Sequence, residues 1–182
     1  MQCKKATIPE VILIQPTIFE DERGLFYEVY QAKRYTQAGI PGPFVQDNQS
    51  SSLQGVLRGL HYQIKHPQGK LVCALSGTIF DVAVDLRRSS KTFGQWVGAT
   101  ISAENRAQIW IPPGFAHGFY VLSELAEILY KVTDYYTPEW DRTLIWNDPD
   151  LHIDWPLIDG KAPSLSPKDA SGLLLNSAEV FE

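Results

Sequence analysis

Short strand-like runs recur along the whole chain, and turn-forming segments separate them. The turn signals include "DERG", "GIPGP", "SAEN" and "PPG", and the chain contains 13 glycines and 12 prolines. The runs that read as strands are Val11–Ile14, Leu25–Tyr30, Phe44–Asp47, Lys70–Leu75, Thr78–Leu86, Gln95–Ile101, Ala107–Ile111, Phe119–Leu122 and Ile128–Asp134. Many short strands at regular spacing are typical of a sandwich or barrel, so we expect an all-β fold with few helices.

The clearest strand is "TIFDVAVDL", residues 78–86. Alternation places Phe80, Val82 and Val84 on one face and both carboxylates, Asp81 and Asp85, on the other. Two carboxylates on one face of a strand usually face solvent. We therefore expect a wet face here, and a polar lumen is the alternative.

Two short helices are expected. The first covers residues 31–38 and ends at Gly39. The second begins in "LSPKDASGLLL", with Ser166 as the cap, Pro167 as the first helical residue and Asp169 three positions after the cap. From spacing alone, Asp169 is a helix-start carboxylate.

Length and composition limit the class of protein. The 182 residues contain no repeat or low-complexity linker, so we expect one domain spanning 1–182. A formal net charge of -5 argues against general binding of nucleic acid or of an anionic membrane. Cys3 and Cys73 form no CxxC pair and are expected to be free thiols in a reducing compartment. No apolar run is long enough for a signal peptide or a membrane span, so we expect a cytoplasmic protein.

The histidines do not have the spacing of a metal site. His61 and His66 are five residues apart, which places them on opposite faces of a strand, and Pro67 interrupts that strand. His117 lies in "PPGFAHGF", which resembles the second motif of the cupin barrels. The first cupin motif, an HxH followed by a glutamate, is replaced by "HYQ" at residues 61–63. We therefore expect a cupin-like barrel without metal ligands.

Other catalytic signatures are absent from the sequence. It contains no GxSxG motif, no cysteine next to a histidine, and no glycine-rich phosphate or dinucleotide loop. The remaining reactive types are histidine, tyrosine, lysine, arginine and carboxylates, which suit proton transfer without an organic cofactor.

Ordered sequence blocks along almost the whole chain resemble the dTDP-4-dehydrorhamnose 3,5-epimerases. The blocks are "FEDERGLFYEVY" (19–30), "FVQDNQSSS" (44–52), "VLRGLHYQ" (56–63), "QGKLV" (68–72), "GTIFDVAVDLR" (77–87), "FGQWVG" (93–98), "WIPPGFAHGF" (110–119), "ILYKVTDYYTP" (128–138), "WNDPDLHIDWP" (146–156) and "LSPKD" (165–169). The resemblance implies a cofactor-free epimerase with a cupin-type jelly roll, which is usually a homodimer. Its substrate is a 4-keto-6-deoxyhexose carried on dTDP.

The resemblance also implies catalytic roles. His61 would be the base and Asp169 its orienting partner, so that Asp169 both starts the helix and serves the site. Tyr130 would be the acid on the opposite face of the sugar, and Lys70 would stabilise the enolate near O4. His117 and Asp81 would line the same pocket, although a structural histidine is an equal alternative for His117.

Further positions are implied for substrate binding. Arg23 and Arg58 would contact the diphosphate, where a planar guanidinium binds two oxygens at once. The segment carrying Arg23 and Glu28 would reach into the partner's site. Glu28, Gln46, Asp47 and Asn48 would mostly contact the base and ribose, and Tyr136 would stack beside the thymine. Lys168 matches a binding position next to Asp169, and Asp141 matches one where relatives often carry glutamate.

Three alternatives stay open at the level of sequence. A mono-epimerase acting only at C3 or C5 would keep the same base and acid. A non-catalytic cupin could bind a nucleotide sugar without reaction, and a metal-dependent cupin oxygenase would need bound iron. His66 inherits no role and is expected to be a loop residue that faces water.

Overall fold

The computed structural model describes all 182 residues, and strands dominate it. The strands are β1 (Gln2–Lys5), β2 (Ile12–Gln15), β3 (Ile18–Asp21), β4 (Gly24–Tyr27), β5 (Gln46–Leu53), β6 (Leu57–Gln63), β7 (Lys70–Ser76), β8 (Thr78–Asp85), β9 (Trp96–Ser102), β10 (Gln108–Ile111), β11 (Phe115–Val121), β12 (Leu125–Val132) and β13 (Asp141–Thr143). The helices are α1 (Ala32–Gln37), α2 (Pro167–Ala170) and three 3₁₀ turns at Pro138–Trp140, Ile158–Gly160 and Leu175–Ser177. No helix has the length and apolar character needed to cross a membrane.

Two antiparallel sheets pack face to face. The six-stranded sheet has the order β1-β2-β10-β7-β12-β5, and the five-stranded sheet has the order β13-β6-β11-β8-β9. Strands β3 and β4 form a separate two-stranded hairpin. This architecture confirms the expected all-β sandwich, and the non-sequential strand order is that of a jelly roll.

Apolar side chains fill three layers. Between the sheets, residues such as Val72, Ile109 and Ile128 pack against Ile79 and Phe119 of the five-stranded sheet. A second cluster covers the outer face of the five-stranded sheet with side chains from the C-terminal segment, and a third seats α1 on the outer face of the six-stranded sheet. The five-stranded sheet is therefore covered on both faces.

The expected wet face of β8 is wrong. Asp81 and Asp85 are both fully buried, because the face that carries them turns toward the other sheet. Asp81 accepts a hydrogen bond from His117, as described below. Burial alone would raise the pKa of Asp85, but hydrogen bonds from Arg87, Ser90 and their neighbours lower it to about 2. The two carboxylates thus face the interior of the sandwich, although apolar side chains fill most of that space.

Most expected elements are present, with shifted ends. The first helix runs from Ala32 to Gln37 with the Gln31 side chain accepting a hydrogen bond from the Arg34 amide, and the second starts with the expected Ser166 cap. The strands β1, β3, β6 and β13 are not among the predicted runs, and β5 continues to Leu53 through the polar run "NQSSS". Short strands, and strands interrupted by polar residues, carry little hydrophobic alternation, so periodicity does not detect them.

Candidate active site

A pocket of about 290 Å³ opens between the two sheets at one end of the sandwich. Side chains from both walls line it, together with the loops that follow β6 and β12 and with α2. The lining residues are Gln46, Asn48, His61, Tyr62, Gln63, Gln68, Lys70, Tyr130, Tyr136, Asp141 and Lys168. Eight of the side chains singled out from the sequence therefore meet in one pocket.

A β-bulge aims His61 into this pocket. On β11, His117 and Phe119 are two residues apart, but their partners on β6, His61 and Arg58, are three apart. The extra residue brings Arg58 and His61 to the same face of β6, although their odd spacing would separate them in a regular strand. Gly59 sits in the bulge at a φ of +121°, and a Cβ there would lie 2.5 Å from the Cα of Gly118. Only glycine allows this approach.

His61 and Asp169 form a hydrogen-bonded pair across 108 residues of sequence. The Nε2 of His61 lies 2.5 Å from the Oδ1 of Asp169. The other carboxylate oxygen of Asp169 accepts a hydrogen bond of 2.7 Å from the Ser166 hydroxyl, and the Gly59 amide donates to Oδ1 at 3.3 Å. The Asp169 amide in turn donates to Ser166 Oγ, so Asp169 is both a helix-start residue and the partner of His61.

The environment keeps this pair as a neutral imidazole beside a carboxylate. Burial lowers the pKa of His61, and the positive charges of Lys168 and Lys70 lower it further, while the bond to Asp169 acts in the opposite direction. Burial would raise the pKa of Asp169, but the bonds from His61 and Ser166 outweigh it and lower that pKa. With Asp169 ionised, we assign the proton of His61 to Nε2, which leaves Nδ1 as the basic nitrogen.

Lys70 is a buried cation at the base of the pocket. Lys70 is the first residue of β7 and is 7% exposed. Its Nζ donates a 3.2 Å hydrogen bond to the His61 carbonyl. Burial lowers the pKa of Lys70 to about 8, although Asp141 and Asp81 act to raise it. At neutral pH the group is still mostly an ammonium ion, which can stabilise a negative oxygen.

Tyr130 faces His61 from the opposite wall. It lies on β12 of the six-stranded sheet, whereas His61 lies on β6 of the five-stranded sheet. Burial raises the pKa of the Tyr130 phenol, with the charge of Arg58 opposing it. A flat ligand between the walls would thus meet a base on one face and a protonated phenol on the other.

His117 and Asp81 lie outside the lining of the pocket. The Nε2 of His117 is 2.8 Å from the Oδ2 of Asp81, and both side chains are buried within the sandwich. The other oxygen of Asp81 is buried without a hydrogen-bond partner. The pair lies close enough to Lys70 for the charge of Asp81 to affect its pKa.

The outer end of the pocket holds a second polar cluster. Asp141 Oδ2 accepts a 2.9 Å hydrogen bond from the Tyr136 hydroxyl and also pairs with the Lys168 ammonium. Gln46 donates a 2.8 Å hydrogen bond to Asn48 Oδ1 on the same strand face. Asp141 is therefore already engaged by two neighbours.

The remaining sequence-derived residues lie outside the pocket. Asp47 points to the opposite face of β5 and pairs with Lys131 at 2.8 Å. Arg58 donates to Ser52 Oγ at 2.9 Å. Arg23, with its side chain 84% exposed, pairs with Asp21 on the isolated hairpin.

Glu28 lies just beyond the hairpin and pairs with Arg34 of α1 at 3.1 Å, away from the pocket. Neither it nor Arg23 reaches the pocket of its own chain. His66 has φ of +53° in an exposed loop, with Nδ1 3.4 Å from Asp134, as expected for a loop residue that faces water. No group of three or more His, Cys, Asp or Glu side chains is arranged to hold a metal ion.

Three lining residues, Tyr62, Gln63 and Gln68, were not singled out from the sequence. All of them fall inside the stretch 56–72 that carries His61 and Lys70, but glutamine amides do not titrate and so give no chemical signal. Proximity to His61 and Lys70 in the sequence was the one available indication.

Comparisons with known proteins agree on one family. The family model described as dTDP-4-dehydrorhamnose 3,5-epimerase matches residues 5–177. A Pseudomonas aeruginosa protein named dTDP-4-dehydrorhamnose 3,5-epimerase is 58% identical over 182 residues, covering 100% of this chain and 99% of that protein. A Legionella pneumophila dTDP-6-deoxy-D-glucose-3,5-epimerase, solved in complex with dTDP-4-keto-L-rhamnose, is 56% identical with a TM-score of 0.94, covering 98% of this chain and 94% of that one.

A more distant structure carries a different activity. The 3'-monoepimerase of Streptomyces bikiniensis, solved in complex with dTDP-quinovose, is 31% identical with a TM-score of 0.87, covering 97% of this chain and 88% of that one. The fold is therefore shared between double and single epimerases, whereas the sequence is more similar to the 3,5-epimerases.

Proposed function

Because the chain belongs to the dTDP-4-dehydrorhamnose 3,5-epimerase family, we propose that its pocket epimerises a dTDP-linked 4-keto-6-deoxyhexose. The protein is an isomerase that converts dTDP-4-dehydro-6-deoxy-D-glucose to dTDP-4-dehydro-L-rhamnose by inverting C3 and C5, a step of dTDP-L-rhamnose biosynthesis. The observation that carries the conclusion is the His61–Asp169 pair on one wall facing Tyr130 on the other, with Lys70 beside them.

The reaction needs a base, an acid and a cation. The C4 ketone acidifies the hydrogens at C3 and C5, so that removal of either leaves an enolate with its charge on O4. In our proposal Nδ1 of His61 takes the proton, and Asp169 stabilises the imidazolium that forms. The Lys70 ammonium stabilises the negative O4, and Tyr130 donates a proton from the opposite face, which inverts the centre.

The outer cluster is proposed to hold the nucleotide. Tyr136, half exposed at the pocket mouth, offers an aromatic face for the thymine, and Gln46 and Asn48 offer amide groups to the base and ribose. Lys168 and Arg58 supply positive charge for the diphosphate. These contacts would hold the substrate by its dTDP group and place the sugar between His61 and Tyr130.

We further propose a homodimer of one-domain chains in which the hairpin segment completes the partner's pocket. The β3–β4 hairpin belongs to neither large sheet and exposes Phe19 and Phe26, which are 63% and 73% exposed. Exposed aromatic side chains at this density mark an interaction surface. Arg23 and Glu28 lie on this segment and in this proposal contact the substrate bound to the partner.

Incubation in deuterated water distinguishes the candidate activities. With dTDP-4-keto-6-deoxyglucose as substrate, NMR is expected to show deuterium at both C3 and C5. Label at only one carbon would establish the mono-epimerase alternative, the activity named for the 31% identical Streptomyces structure. No exchange at all would leave a nucleotide-sugar binding protein, and stoichiometric iron in the purified protein would support the cupin oxygenase.

Substitution of the base provides the matched control. His61→Ala is expected to abolish exchange at both carbons while nucleotide binding stays nearly intact. His66→Ala, which changes an exposed histidine outside the pocket, is expected to leave exchange unchanged. Substantial exchange in the His61 variant would remove it from the role of base.

A further inference from the structure

Four backbone groups between β12 and the following 3₁₀ turn are hydrogen-bonded by side chains instead of by other backbone groups. The segment is Asp134–Thr137, and it carries Tyr136 at the mouth of the pocket. The carbonyls of Asp134 and Tyr135 and the amides of Tyr136 and Thr137 make no hydrogen bond to another backbone group. The position of the segment therefore depends on the side chains that bond to these groups.

Three glutamines satisfy all four groups. Gln68 Nε2 donates to the Asp134 carbonyl at 2.8 Å. Gln63 Nε2 donates to the Tyr135 carbonyl at 3.2 Å, and Gln63 Oε1 accepts from the Thr137 amide at 2.7 Å. Gln46 Oε1 accepts from the Tyr136 amide at 3.1 Å. The three glutamines come from β5, β6 and the loop before β7, so three separate parts of the chain bond to the segment.

Gln63 makes two of these four hydrogen bonds, more than either other glutamine. It is 4% exposed, and its Nε2 also donates to the His66 carbonyl at 2.8 Å. One primary amide therefore uses both N–H groups and its oxygen to join two loops. Glutamate could not donate these bonds, and leucine could make none of them, so the position needs an amide of this length.

The geometry points to Gln63 as a positioning residue for the nucleotide end of the site. By holding the segment 134–137, it presents the Tyr136 ring and the hydroxyl that bonds to Asp141. This inference rests on the proposed contact of Tyr136 with the nucleotide. It assigns Gln63 no part in proton transfer, so its loss acts on binding and not on the chemical step.

The test compares Gln63→Leu with a matched control, Gln54→Leu. Gln54 is an exposed glutamine whose Nε2 also donates to a backbone carbonyl, that of Leu122 at 2.8 Å, but it does not line the pocket. Gln63→Leu is expected to raise KM, and the Kd for dTDP, about tenfold with kcat nearly unchanged. Gln54→Leu is expected to change none of these values.

Two further readouts separate positioning from general loss of stability. Hydrogen exchange at the Tyr136 and Thr137 amides should become at least about tenfold faster in Gln63→Leu, while amides in β8 stay protected. In a Tyr136→Ala background the same substitution should add little to KM, because both changes remove one contact. Gln68→Leu, which removes a single bond, should show the same pattern more weakly if Gln63→Leu fails to fold.

Unchanged exchange at these amides, a fall in kcat at constant KM, or additive effects of the two substitutions would overturn the inference. If Tyr136→Ala leaves the Kd for dTDP unchanged, the proposed nucleotide contact is wrong and the inference fails with it. If Tyr136→Ala weakens binding but Gln63→Leu does not, only the inference fails.

Discussion

Replacing Asp169 with asparagine tests the proposed base most directly. The substitution removes the charge but keeps the shape, because the amide oxygen can still accept from His61 Nε2 and the amide nitrogen can donate to Ser166 Oγ. The side chain of Asp169 is 4% exposed, so water cannot replace the lost charge. The folded structure should therefore survive with a weaker base.

The expected magnitude follows from the bond that changes. A hydrogen bond to a charged partner contributes about 1.5–3 kcal/mol, against about 1 kcal/mol for a neutral one. The imidazolium that forms on His61 would lose about 0.5–2 kcal/mol of stabilisation, which corresponds to a fall in kcat of about 2- to 30-fold. KM should change little, since Asp169 does not line the pocket.

The pH profile gives the decisive readout. His61 must be neutral to accept a proton, so activity falls as pH drops through its pKa, which burial already places below the ordinary value. Asp169 acts to raise that pKa, and Asp169→Asn should therefore move the acidic limb to still lower pH. The assay is kcat against pH for the wild type and the variant.

A second buried carboxylate provides the control. Asp148 is 2% exposed and accepts hydrogen bonds from the amides of Asp150 and Leu175, outside the pocket. Asp148→Asn is expected to lower thermal stability without moving the acidic limb. An unchanged or upward-shifted limb in Asp169→Asn would refute the coupling between Asp169 and His61.

Three further outcomes are expected. Tyr130→Phe should still exchange substrate hydrogens with deuterated water but invert poorly, because His61 can return a proton only to the face it left; normal inversion would exclude Tyr130 as the acid. The pKa of Lys70, lowered to about 8 by burial, predicts that activity declines as pH rises above that value. Lys70→Met should reduce kcat by at least about tenfold below pH 8, and an unchanged kcat there would remove Lys70 from O4. Asp85→Ala should lower the free energy of unfolding by about 3 kcal/mol in urea titrations, because it removes the buried partner of Arg87 and the acceptor of the Ser90 and Thr92 hydroxyls. The pKa of Asp85 is about 2 in the folded state, below its ordinary value of 3.8. The ionised side chain therefore stabilises the fold above about pH 4, and this stabilisation is lost as pH falls toward 2. Identical acid unfolding of the wild type and Asp85→Ala would contradict this expectation.

The strand β8 shows what periodicity can and cannot predict. Alternation in "TIFDVAVDL" correctly identified a strand with Asp81 and Asp85 on one face. It did not predict that both carboxylates would be buried, since that depends on which layer covers each face. Both faces of β8 are covered, one by the other sheet and one by the C-terminal segment, and these segments are distant in sequence.

The sequence alone determined the all-β class, the turns, the types of reactive side chain and, through its ordered blocks, the family. The tertiary structure decided which of those side chains meet. Arg58 and His61 share a face only because of the bulge at Gly59, and Asp169 reaches His61 from 108 residues away. It also decided that Gln63 holds the segment carrying Tyr136. The physical reason is that residue spacing defines the faces of a single strand, whereas convergence depends on strand pairing, register and loop contacts that are not local in the chain.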